Sequence, residues 1–111
     1  METWNITSMD MEPRQPAVLR SDAEARLIAI NLPAGTSLQD HQVHERAYLV
    51  VADGEVEVEH DGVTEAGGPG FLAHFQANER RAVRATSDAR VLLILAPWPG
   101  DGHPSQPRSG Q

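Results

Sequence analysis

Glu55-Val56-Glu57-Val58-Glu59-His60-Asp61-Gly62 alternates apolar and acidic side chains and then stops at an Asp-Gly pair. A period of two puts the valines on one face and the glutamates on the other, which describes a strand with one side buried and one in water. Asp-Gly is a favoured pair for a two-residue turn, where both residues take positive φ. Upstream, Ala47-Tyr48-Leu49-Val50-Val51 is a second strand, and Asp53-Gly54 after it carries the same hairpin signal.

The same reading extends in both directions. Arg26 to Leu32 is a buried strand closed by Pro33-Ala34-Gly35. Gly67-Gly68-Pro69-Gly70 breaks the chain before a short strand from Phe71 to Phe75. Arg81 to Ala85 is a further strand, and Val91-Leu92-Leu93-Ile94-Leu95 is apolar at every position, as a strand buried on both faces would be. The single helical candidate, Ser21 to Arg26, is too short to hold a helix by itself. Strands separated by turn signals every ~8–12 residues indicate an all-β sandwich or closed barrel.

The ends lack this pattern. Residues 1–18 show no period and carry Pro13 and Pro16, so they form an N-terminal arm, with an edge strand starting at Ala17-Val18-Leu19. Four prolines and three glycines lie between Pro97 and Gln111, so residues 99–111 are expected to be a flexible tail and residues 19–98 the domain.

At 111 residues the chain has the length of one domain, able to bury about two-thirds of its surface. It has no cysteine, which excludes disulfides, thiolate metal sites and cysteine nucleophiles. Its net charge of −7 argues against nucleic acid and against anionic membrane surfaces. No apolar run approaches the ~18 residues of a membrane span, and Met1-Glu2-Thr3-Trp4-Asn5 does not open a secretory signal. The expected location is the cytoplasm.

The order of glycines, turns and strands resembles the cupin family of small jelly-roll β-barrels. Gly35, His41 and Gly54 fall on the opening glycine, first histidine and closing glycine of that family's first motif. In the second motif Gly70 is the opening glycine, while Gln76, Asn78, Arg81 and Ala85 stand at its proline, second glycine, histidine and asparagine. The resemblance runs from about Leu27 to Pro97 and includes a Pro-Ala-Gly entry and an Ala96-Pro97-Trp98-Pro99 exit. It implies a single cupin jelly-roll barrel and, in typical members, a divalent metal held by three histidines and a glutamate. Here only His41 is kept. Val43 takes the second histidine position, Ala47 the glutamate position at the shorter spacing (Tyr48 at the longer), and Arg81 the third histidine position.

Two readings of the site follow. In the first, no metal is bound and the barrel takes a small organic anion. Val43 and Ala47 then belong to an apolar lining, with His41, His74 and Arg81 as its polar groups. An arginine fork suits a carboxylate, and an inward guanidinium about 5 Å from a divalent ion would repel it by roughly 7 kcal/mol at an effective dielectric of about 20. In the second, one divalent metal ion is held by a rearranged set, His41, His44 and His74, in an enzyme of dioxygenase or isomerase type. That set needs a bulge, because residues three apart on a strand face opposite sides. Arg81 also has a plainer alternative, facing solvent with Arg80 and Arg84 beside the acidic strand. No catalytic residue stands out, since His44-Glu45-Arg46 has the look of a solvated ion-pair run. A homodimer is expected, with the arm as its docking or swapped element, because a small sheet protein must protect its edges. A purely structural dimer without ligand is the third possibility.

Overall fold

The computed structural model of the chain describes residues 1–42 and 45–96, with the backbone alone at residues 39–42. In chain order the strands are β1 (Ala17–Ser21), β2 (Arg26–Leu32), β3 (Ser37–Gln42), β4 (Arg46–Asp53), β5 (Val56–His60), β6 (Val63–Gly67), β7 (Leu72–Phe75), β8 (Arg80–Ala85) and β9 (Ala89–Ala96). The described residues contain no helix, so the fold is all-β and none of them forms a helix long and apolar enough to cross a membrane. The Ser21–Arg26 candidate is a turn instead. Asp22 Oδ1 accepts the backbone N–H groups of Glu24 at 2.9 Å and Ala25 at 3.2 Å, which lets the chain reverse between β1 and β2.

Hydrogen bonding arranges the strands in two antiparallel sheets. One has five strands in the order β1-β2-β9-β4-β7, the other four in the order β3-β8-β5-β6. No ladder among the described residues joins one sheet to the other, so the hydrogen bonding describes two facing sheets. Apart from the β1–β2 and β5–β6 hairpins, the chain changes sheet at every connection. This alternation sandwiches the inward rows of both sheets. Leu32, Leu49, Val51, Val56 and Val91 are fully buried there, and the core is aliphatic apart from Phe75.

The two Asp-Gly pairs have different fates. Asp61 and Gly62 take φ of 54° and 80° and close the β5–β6 hairpin, with His60 paired to Val63. Asp53-Gly54 does not make the expected hairpin, because β4 and β5 belong to different sheets. Gly54 sits at the corner where the chain leaves one sheet for the other, with φ of 75°. A Cβ at that position would lie 2.0 Å from the backbone oxygen of Asp88, so glycine is needed for space as well as for conformation.

Two strands lack a sequence signature. β6 is an edge strand exposed from Val63 to Ala66, so no buried face imposes an alternation on it. β3 reads Ser-Leu-Gln-Asp-His-Gln, and its ladder with β8 shifts register between Leu38 and His41. The extra residue on β3 is a bulge, lying upstream of His41 rather than between His41 and His44.

A charged clasp ties the end of β5 to the turn between β7 and β8. His60 Nδ1 lies 3.0 Å from the carbonyl oxygen of Arg80, and Nε2 lies 2.9 Å from Glu79 Oε2. Both partners only accept, so both ring nitrogens are satisfied together only in the imidazolium. The other carboxylate oxygen of Glu79 accepts the Gln76 N–H at 2.6 Å. The Arg80 carbonyl, with further help from the charges of Glu79 and Asp61, raises the His60 pKa above its ordinary 6.5. A raised folded-state pKa gives a contribution that is complete below about 6.5 and is lost as pH rises through the folded value.

Two predictions follow from these contacts. Gly35 also has positive φ but has nothing within 4 Å of a built Cβ, so Gly35→Ala should cost only the backbone term of about 1–2 kcal/mol in urea unfolding. Gly54→Ala should cost clearly more, and equal losses would show that the Asp88 contact does not matter. The His60 titration followed by NMR should have its midpoint above 6.5 and move down in Glu79→Gln; a midpoint at or below 6.5 in the native chain would dissolve the clasp.

Candidate functional site

Strand β8 brings a charge inside the sandwich. Val83 and Ala85 are buried, and a period of two puts Arg81 on the same row. Arg81 is 6% exposed, so it faces inward, and the solvent-facing alternative with Arg80 and Arg84 is set aside. Its guanidinium carbon lies 5.0 Å from the centroid of the Phe75 ring, within range of a cation–π contact. Burial pulls its pKa below the usual arginine value, yet a guanidinium remains protonated throughout the physiological range.

Arg81 borders a cavity of about 210 Å³ between the sheets. The other lining residues are apolar: Pro16 from the arm, Ile28 and Ile30 of β2, Leu38 of β3, Leu49 of β4, Phe75 of β7, Val83 of β8, and Leu93 and Leu95 of β9. The site is therefore an aliphatic pocket with one cationic group in its wall. Such a wall can hold an apolar body and fix one acidic end of it.

The other expected site residues fall in different places. His41 is the cross-strand partner of Arg81 in the β3–β8 ladder. Ala47 is fully buried on the inward row of β4, opposite Phe75 and Leu95, and belongs to the core beside the cavity. Val43 and His44 lie outside the described residues. His74 is exposed, on the face of β7 opposite to the buried Phe75. Its ring packs against Tyr48 with centroids 4.9 Å apart, and it is not among the residues lining the interior cavity. The physical reason is the strand period, which puts neighbours 74 and 75 on opposite sides.

One buried charge was not expected. Glu45 is 4% exposed, although the run His44-Glu45-Arg46 reads as solvated. The signal was present in the alternation of β4: extending the inward row Val51, Leu49, Ala47 by one step reaches Glu45. Glu45 and Arg81 are the two buried charged residues among those described, and they carry opposite signs.

The residues at the matching positions depart from the metal donors of typical cupins. At the positions matching the metal ligands of typical cupins, Val43 and Ala47 have no donor, and Arg81 brings an inward positive charge that cannot be removed to make a ligand. Among the described residues no three His, Asp or Glu side chains come together as a metal site. Asn78, at the second glycine of the second motif, has φ of 67° and so keeps the glycine-like backbone with a residue that tolerates it.

The fold has many solved counterparts. An RmlC-like cupin from Desulfovibrio desulfuricans superposes with a TM-score of 0.79 at 20% identity, covering 87% of this chain and 97% of that one. A conserved protein of unknown function from Streptococcus pyogenes gives a TM-score of 0.75 at 19% identity over 89% and 90% of the two chains. KdgF from a Halomonas species gives 0.71 at 20% identity over 81% and 86%. At such identities these likenesses speak for the fold. No curated protein matches the chain. The Cupin domain family matches residues 20–96, well over half of the sequence, and the chain belongs to the cupin family.

Proposed function

We propose that this cupin is a metal-independent binding module for a small organic anion, with Arg81 as the anchor of the acidic group. The observation that carries this reading is a buried guanidinium in the wall of an otherwise apolar cavity of about 210 Å³. That volume is below the ~300–1,000 Å³ range of pockets for drug-sized ligands, so the occupant has a short aliphatic or single-ring body. A guanidinium has five N–H donors in a planar fork and can serve a protein acceptor and a ligand carboxylate at once. The Phe75 ring on one side of Arg81 helps to hold the fork in place. Aliphatic side chains from both sheets exclude water, which strengthens a charge-assisted hydrogen bond inside. The role is binding, accessory or regulatory, with no group assigned to bond making or breaking.

Short monocarboxylates such as butyrate, hexanoate and benzoate are the probes, titrated calorimetrically into the full chain. Hydrogen bonds to a charged group contribute about 1.5–3 kcal/mol, so Arg81→Met should weaken binding at least about tenfold. The matching neutral amides should also bind more weakly to the native chain. Equal affinity of native and Arg81→Met chains, or no saturable binding of any probe, overturns the anchor role. A separate measurement tests the metal-independent part: untagged protein, stripped of metal and resupplied with zinc, manganese, nickel and iron, should retain far less than one equivalent. Near-stoichiometric retention of one metal overturns it.

A further inference from the structure

The space between the sheets is divided. The cavity beside Arg81 is walled chiefly by β2, β9 and β4 of one sheet and by β3 and β8 of the other. A second compartment, a cleft of about 380 Å³, lies between β7 on one side and β5 with β6 on the other. Val58, Val63 and Glu65 come to it from β5 and β6, Ala73 from β7, and Phe71 and Glu79 from either side of β7. Phe75 lines both compartments. It is 4% exposed, and its ladder partner on the same inward row is the small Ala47. The Arg81 guanidinium lies over its ring, so the anchor and the dividing wall are in contact.

We infer that the Phe75 ring determines which acids the cavity accepts, by closing the Arg81 side against the cleft and stopping the ligand body there. This rests on the anion-binding reading of the cavity. The ring has the properties of a wall, being flat and rigid with only two side-chain torsions. The strand period turns it inward with Ala73, and close packing in the interior holds it there. Directly opposite side chains on paired strands are close neighbours, and an alanine at position 47 leaves the ring room that a longer side chain would take. The wall has two effects. It sets length, because an acid held by Arg81 has only the cavity of about 210 Å³ for its body. It also sets class: the carboxylates of Glu65 and Glu79, which suit an amine, lie in the cleft beyond the ring. On the Arg81 side a second polar group would be buried against apolar walls without a partner, at a cost to binding. The ligand is therefore an acid with a short, wholly apolar body.

The test titrates hexanoate and decanoate calorimetrically into the full native chain and into Phe75→Ala and Phe71→Ala. Each buried methylene is worth about fourfold in affinity. Opening the wall to two of them should raise the decanoate-to-hexanoate ratio at least about tenfold in Phe75→Ala. Phe71→Ala removes an equal ring from the cleft alone and should leave the ratio unchanged. Phe75→Leu keeps more of the core should the alanine variant not fold, and it should shift the ratio in the same direction. An unchanged ratio in a folded Phe75 variant, or an equal shift in Phe71→Ala, overturns the inference. Xenon binding followed by methyl NMR on the native chain needs neither a variant nor an acid. Shifts at Ile28 and Leu93 should follow one binding constant and those at Val58 and Val63 another. A common constant, or no shift at Ile28 and Leu93, overturns the partition. Two constants in a native chain that binds no acid would sink the anion reading and leave the partition standing.

Discussion

Burying Val83 and Ala85 on β8 carries Arg81 into the space between the sheets, because a strand cannot turn alternate side chains to different faces. Much of the molecule's character depends on that linkage. An inward guanidinium loses several kcal/mol of hydration, which must be offset by contacts within the protein or from a ligand. Phe75 supplies one such contact from β7, in the opposite sheet, so the two layers meet at a charge as well as through aliphatic packing. Arg81 stands where typical cupins keep a histidine, and it brings a fixed positive charge to the interior.

The surrounding walls follow from the layer architecture. Strands β2, β9 and β4 contribute aliphatic rows from one sheet, and β8 with β3 closes the opposite side. No bulky aromatic other than Phe75 enters this space, so branched aliphatic side chains set its volume and leave room for a small occupant. Glu45 adds a buried negative charge on the inward row leading into β4.

The two sheets differ in what they present to solvent. The four-stranded sheet wears acidic and basic side chains, and its His60–Glu79 clasp fixes the turn from which β8 starts. The outer face of the five-stranded sheet carries Leu27, Ile94, Tyr48, Leu92, Val50 and Leu72, with the exposed Arg20 and Arg46 at its margins.

Alternation alone determined much of this protein. β2 was legible to its last residue, and the buried rows of β4, β5, β8 and β9 follow from periods of two in Ala47–Val51, Glu55–Glu59, Arg81–Ala85 and Val91–Leu95. Both β3 and β6 were hidden because strands without a continuous apolar row leave no such trace. The sheet to which each strand belongs was decided only in three dimensions: Asp53-Gly54 and Asp61-Gly62 have the same local preference, but one is a corner against Asp88 and the other a hairpin. The site divides along the same line. Arg81 and Glu45 could be placed inside by counting along their strands, whereas the exposure of His74 depended on which face of β7 the opposite sheet would cover. Local chemistry fixes the period of a strand, and only the packing of the layers fixes which of its two faces becomes the interior.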